Sequence, residues 1–298
     1  MIFGIASGLA TAVMQSTSYV CSRVFIHRHK SAVALAVYSQ LLMGLMAAFV
    51  FLFVADDFHF PATSGNLRLL AGLVLSTAAG QVCFFLAAAE IEASRLSSLT
   101  GLKIIVLALL CQFVRHEDLG FQAWVAVLLC TLAALGMNFS GLRIRLKGAF
   151  WLGLTLLLYS AGDIFIKLLI GVVEGPNAVA RSIGAAALSY ALLGLVSLPA
   201  LFFVRRSPAR CRDSLGYACA WFGAMLLLFY SLTMVSVVFI NIIVASRGII
   251  SVLMGAAMAR MGHTHLEPGV SRAIWFRRLV MSVLMLLAMA LYVTSDAG

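Results

Sequence analysis

Long apolar runs alternate with short polar breaks along the 298 residues of this chain, and the runs lack the period-two alternation of half-buried strands. Ten of them approach the roughly 20 mostly apolar residues that carry an α-helix across a bilayer. They cover about 2–22, 31–54, 67–89, 94–114, 120–140, 148–172, 181–204, 214–235, 237–259 and 275–294. The pattern predicts an all-α polytopic membrane protein with ten transmembrane helices. The longest break, Arg260 to Ile274 with its HTHLEPG, is too short for a separate soluble domain. The first run, IFGIASGLATAVMQSTSYV, has no basic leader and no small-residue cleavage site, so it reads as the first span and not as a signal peptide.

Composition agrees. Hydrophobic residues make up 63% and charged residues 11%, with a mean hydropathy of +1.06, against about 45–50% and 25% in soluble domains. The net charge of +10 would suggest a nucleic-acid partner in a soluble protein, but these cations gather in the breaks. HRHK, LRIRLK, RRSPARCR and FRR follow odd-numbered helices, while the opposite side holds only Arg68, Arg115 and Arg181. By the positive-inside rule the odd-numbered breaks are cytoplasmic and both termini lie outside. Cys21, Cys83, Cys111, Cys130, Cys211 and Cys219 show neither CxxC nor metal-ligand spacing and read as small core residues.

An offset of 144 residues lays Lys103 on Arg247 (247 − 103 = 144) and Arg23 on Lys167. The same shift superposes Gly4 on Gly148, Ser16 on Ser160, Gly72 on Gly216, Phe85 on Phe229, Ile105 on Ile249 and Leu109 on Leu253. Two five-helix repeats follow, residues 1–144 and 145–298. An odd number of spans per repeat inverts the second copy, the plan of many secondary transporters.

The segment RHEDLGFQAWVAVLLCTLAALGM, Arg115 to Met137, is similar to the end of the repeat in the drug/metabolite transporter superfamily, EamA-like branch. There an acidic residue, here at the position of Glu117, closes the fourth helix, and a fifth helix follows. The five-plus-five layout agrees along the whole chain. The resemblance implies a secondary transporter of small molecules, with termini that in relatives face the cytoplasm, opposite to the charge count. The chain departs from relatives in carrying Lys103 and Arg247 near the places of their fourth- and ninth-helix prolines. Its second repeat offers only MGHTHLEPG, with Glu267 after a gap. The plastid phosphate-exchange translocators and nucleotide-sugar transporters resemble this chain in using basic residues of the fourth and ninth helices to hold the anionic part of a substrate. That comparison carries over to Lys103 and Arg247 alone.

An arginine at the centre of a membrane helix costs about 2.5–3.5 kcal/mol on insertion scales, so it needs a partner or a purpose. Arg247 in NIIVASRGIISVLMGAAMA and Lys103 in SRLSSLTGLKIIVLALL each fall near mid-helix, too deep to snorkel. If the repeats pack about an in-plane axis, both reach one midplane cavity and favour an anion, with Arg247 as a planar fork and Lys103 as a point charge. The plainer reading makes each a structural ion-pair residue. YSAGDIFIK sets Asp163 and Lys167 four residues apart on one face, as an internal ion pair that eases insertion or as a coupling site built on Asp163. Alternatively Asp163 faces Lys103 or Arg247, and a substrate competes for that pair. In the first helix Gln15, Ser16, Ser18, Tyr19 and Ser22 are too polar for a lipid face, and they line a wet cavity or bond neighbouring helices. Gln81 and Asn241 read chiefly as packing groups, with Asn241 also counted among the substrate contacts. AEIEASR, with Glu90, Glu92 and Arg95, marks a surface turn or a gate salt bridge.

No HExxH or GxSxG is present, the histidines of HRHK and HTH lack a third ligand, and the glycines follow no strand. Neither enzyme, metal nor cofactor is expected. The leading expectation is alternating-access transport of a small organic anion, a carboxylate or phosphate ester, across a bacterial inner membrane by a monomer or homodimer. The alternatives are export of amino acids or amphipathic drugs, and a non-transporting scaffold whose cation clusters meet membrane lipids.

Overall fold

A computed structural model describes residues 2–91, 96, 99–116, 118–138, 145–247, 250, 253–254 and 272–296. Ten α-helices run through them: α1 Ile2–His29, α2 Ala32–Val54, α3 Ser64–Glu90, α4 Lys103–Val114, α5 Phe121–Asn138, α6 Leu146–Val172, α7 Ala178–Ser197, α8 Pro208–Met234, α9 Val237–Ala245 and α10 Arg272–Asp296. Their starts follow from local chemistry. Ser31, Thr63, Asn177, Ser207 and Ser236 each accept a hydrogen bond from a first-turn amide of α2, α3, α7, α8 and α9 respectively. Those amides have no intrahelical partner of their own. Pro208 takes the first position of α8, where a missing N–H costs nothing.

The structure moves several expected boundaries. Among the described residues five segments are long and apolar enough to cross a membrane: Ala32–Asp57, Ser64–Glu90, Leu146–Val172, Ala178–Phe203 and Pro208–Met234. Helix α1 is long enough, but its string of Gln15, Ser16, Thr17 and Ser18 dilutes its apolarity. In the run expected at 94–114, a 3₁₀ turn, Thr100–Leu102, precedes the 12-residue α4, and the described residues 96 and 99 before it are helical. In the run at 237–259, α9 ends at Ala245, Ser246 forms a turn, and the described residues 247, 250, 253 and 254 are again helical. RRSPARCR is not all loop, because α8 begins inside it at Pro208.

The helices pair as α1 with α8, α3 with α6, α2 with α7 and α5 with α10, while α4 lies on α6 and α9 on α1. Helices α2 and α7 come closest at Gly44 and Gly194, where a Cβ on Gly44 would stand 2.5 Å from the Gly194 Cα. Only hydrogen side chains fit such a crossing. Where α1, α3, α6 and α8 meet, Tyr19, Phe84, Tyr159, Tyr217 and Trp221 stack or tilt against one another with centroids 4.8 to 6.3 Å apart. Buried hydroxyls in these apolar helices turn back on their own backbone. Ser160 bonds the Leu156 carbonyl at 2.7 Å, Ser189 that of Ala185 at 2.6 Å and Ser197 that of Leu193 at 2.7 Å. The outside is apolar: Phe3, Leu52, Phe53, Phe121, Phe202 and Phe203 are all exposed, as suits a lipid solvent.

Candidate functional site

The polar residues of the first run are brought inward. On α1, Gln15 and Tyr19 share a face one turn apart and line a central cavity of about 40 Å³. Tyr159 and Asp163 of α6, also one turn apart, enter from the opposite side. Lys103 reaches the cavity as the first residue of α4, directly after the 3₁₀ turn. Arg247 reaches it just beyond the end of α9, where the Ser246 amide bonds the Ile243 carbonyl at 3.0 Å. Both cations were expected near mid-helix; both stand at helix ends. Tyr190 of α7 and Trp221, Met225 and Leu228 of α8 complete the wall.

Lys103 and Asp163 are 8% and 5% exposed. The Lys103 Nζ donates to Asp163 Oδ2 at 2.7 Å, and the Asn241 side-chain amide donates to the same oxygen at 2.6 Å. Of the expected arrangements, the one in which Asp163 faces Lys103 is present. Asp163 finds its counter-ion on α4, and Lys167 donates instead to the Leu232 and Val235 carbonyls at 2.6 and 3.1 Å, closing the end of α8. Terminal carbonyls have no intrahelical donor, so a lysine there is well used.

Arg247, 5% exposed, donates through Nη1 to the Gln15 side-chain oxygen, and its guanidinium carbon lies 5.6 Å from the Tyr19 ring centroid. Both partners are neutral, although the ring face attracts a cation. Among the described residues its Nε has no hydrogen-bond partner, nor have the hydroxyls of Tyr19 and Tyr159, all buried. With Asp163 matched to Lys103, the described cavity carries one formal positive charge in excess. Unpartnered donors in a low-dielectric site cost more than donors in water. Together they favour a bound acceptor that carries negative charge.

Of the expected contacts, Gln15, Tyr19, Lys103, Arg247 and Asp163 line the cavity. Ser16 and Asn241 stand behind it. The Ser16 hydroxyl reaches the Arg247 carbonyl at 3.3 Å, and Asn241 braces Asp163 while also bonding the Val237 carbonyl at 2.9 Å. The Ser160 hydroxyl reaches the Lys103 carbonyl at 3.4 Å in the same manner. Gln81 donates to the Tyr217 hydroxyl at 3.1 Å, the packing role expected of it. Glu90 lies 3.4 Å from Arg145 and from Lys147 at the start of α6, while Glu92, Arg95, Glu117, Glu267 and the HTH histidines fall outside the described residues. The sequence reading missed Tyr159, Tyr190 and Trp221; Tyr159 was within reach, four residues before Asp163 on the same face.

Residues 2–139 match the family described as EamA-like transporter family. That match, over just under half of the chain, supports membership of the drug/metabolite transporter superfamily. The chain is an integral, multi-pass membrane protein of a family of small-molecule transporters, and its members are transporters rather than enzymes. No curated protein matches the sequence. Among solved structures, one titled only as the crystal structure of a protein is 12% identical to this EamA-like chain. It covers 97% of this chain and 95% of its own at a TM-score of 0.66. At that identity the likeness concerns the fold alone.

Proposed function

We propose that this EamA-like protein is a secondary transporter that moves a small organic anion, a carboxylate or phosphate ester, by alternating access. The observation that carries this reading is Arg247. It is a buried guanidinium whose side chain meets neutral Gln15 and Tyr19 and whose Nε is unpartnered among the described residues, in a cavity whose described lining has one positive charge in excess. A carboxylate or phosphate supplies both the charge and the acceptors. Lys103 is the second contact: the anion competes with Asp163 for its Nζ. Gln15 and Tyr19 orient the substrate's polar end. Ser16 and Asn241 serve as positioning residues, Ser16 on the Arg247 backbone and Asn241 on Asp163.

The architecture in this reading is two inverted five-helix repeats, residues 1–144 and 145–298. Three features support it. The pairing of α1 with α8 mirrors that of α6 with α3. Ser16 on the Arg247 carbonyl repeats as Ser160 on the Lys103 carbonyl, both pairs related by the 144-residue offset. Gly4 packs against Val235 as Gly148 packs against Ile91, again at that offset. Rocking one repeat against the other opens the central site to each side in turn. The protein acts in a bacterial inner membrane, as a monomer or homodimer.

A second reading, export of amino acids or amphipathic drugs, draws on the aromatic wall of Tyr19, Tyr159, Tyr190 and Trp221. Melting temperatures of the purified protein separate the two, recorded with carboxylates, phosphate esters, neutral amino acids and cationic drugs for the parent and for Arg247→Gln. An anion at a hundredfold excess over its Kd adds about 2.7 kcal/mol to the parent, and the variant loses that response. Equal stabilisation of both proteins by neutral or cationic compounds overturns the anion reading in favour of the second.

A further inference from the structure

Away from the central site, a larger cleft of about 440 Å³ opens between α2 and α7, on either side of the Gly44–Gly194 crossing. Its volume falls within the roughly 300–1,000 Å³ of small-molecule sites. Leu41, Leu42, Leu45, Leu195, Leu198 and Leu201 line it, and its polar members, Tyr38 and Cys211, mark one end.

That end is cationic. The Tyr38 hydroxyl donates to the Arg205 carbonyl at 3.1 Å and accepts from the Ser207 amide at 2.9 Å, which binds the RRSPARCR segment to the cleft. Cys211 follows Arg210 in the first turns of α8. Asp213 is already engaged by Arg28 and His29 at 2.8 Å each and by Arg212 at 3.6 Å. Arg205 and Arg206 are exposed and Arg210 half-buried, and none of the three has an acidic partner among the described residues. Phe202 and Phe203, 81% and 87% exposed, precede the cluster as interfacial anchors.

We propose that this cleft binds an anionic phospholipid, with an acyl chain between α2 and α7 and the headgroup phosphate on Arg205, Arg206 and Arg210. Charge complementarity selects this occupant. An apolar slot that ends in surplus arginines matches a lipid with a negative head, whereas a second copy of this chain would set the same arginines against each other if joined through this face about a two-fold axis. The positive-inside orientation puts RRSPARCR at the cytoplasmic leaflet, where anionic lipids collect and each arginine near the surface adds to the attraction.

The test titrates delipidated protein in detergent with phosphatidylglycerol or phosphatidylcholine and reads melting temperature and lipid adducts by native mass spectrometry. Phosphatidylglycerol is expected to bind and stabilise the parent well above phosphatidylcholine. Replacing Arg205, Arg206 and Arg210 together by Gln loosens phosphatidylglycerol by roughly a hundredfold. Ala48→Trp, which fills the cleft from an exposed position, removes the adduct while leaving the three arginines in place. Should the arginine variant fail to fold, Ala48→Trp alone decides. Equal response to both lipids overturns the proposal, as does phosphatidylglycerol binding unchanged by Ala48→Trp. Lipid-independent dimerisation abolished by Ala48→Trp also overturns it and assigns the cleft to a second copy.

Discussion

Asp163→Asn isolates the electrostatics of the site. The Lys103 and Asp163 side chains are 10% and 7% exposed and 2.7 Å apart, so solvent screens the pair little. Removing one partner of such a pair costs about 3–5 kcal/mol, because the other is left as an uncompensated buried charge. Removing both with residues of similar volume, Asp163→Asn with Lys103→Met, is close to neutral by the same reasoning. The two single variants should therefore each melt on the order of 10 °C below the parent. The double variant should recover most of the loss, giving a coupling of about 6–10 kcal/mol, the sum of the two single losses and above the usual range for residues in contact. Thermal melting of the four proteins in one detergent, followed by tryptophan fluorescence, measures the cycle. A Lys103→Met protein that melts like the parent, with Asp163→Asn coupled instead to Lys167→Met, would refute the pairing and restore the intrahelical pair.

Gln15→Glu gives Arg247 an anionic partner and brings the formal charge of the cavity to zero. It should melt no lower than the parent yet lose its stabilisation by anions, by about 2–4 kcal/mol for one added charge some 4–6 Å away at an effective dielectric near 20; an unchanged anion response in the melting assay removes Arg247 from the substrate site. Gly44→Ala forces α2 from α7 and should cost about 1–3 kcal/mol, whereas Gly153→Ala on α6 meets nothing within 4 Å and should gain up to about 1 kcal/mol of helix propensity. Shifts of the same sign in thermal melting would contradict the packing described at the α2–α7 crossing.

Class and helix order were legible because a bilayer imposes a length and a composition on every span, and both can be read from one chain. Two runs hold a break that composition hides. Counting apolar residues treats SRLSSLTGLKIIVLALL and NIIVASRGIISVLMGAAMA as uniform, but a 3₁₀ turn precedes Lys103 and a turn at Ser246 follows α9. Hydropathy does not register this, since Ile, Leu and Val score alike in a helix and beside a break. The relevant signals were small residues next to each cation: Thr100 and Gly101 before Lys103, and Ser246 before Arg247. Such residues tolerate 3₁₀ and turn geometry that Leu-rich segments seldom adopt.

The site was legible in its members and not in its bonds. Period 3.6 places Asp163 and Lys167 on one face, and a local rule stops there. Which cation an aspartate takes depends on what else its neighbourhood must satisfy. Lys167 stands beside the Leu232 and Val235 carbonyls at the end of α8, which need a donor. Lys103, at the first position of α4, is buried, and among the described residues Asp163 is the side chain that neutralises it. Exchanging the partners would leave those helix-end carbonyls without a donor and a lysine unpaired in the interior, and both losses together outweigh an i, i+4 pair within α6. The choice is therefore set by helices far apart in sequence. The same long-range accounting leaves Arg247 with neutral partners among the described residues and sets it apart from Lys103, although the 144-residue offset makes the two equivalent on paper.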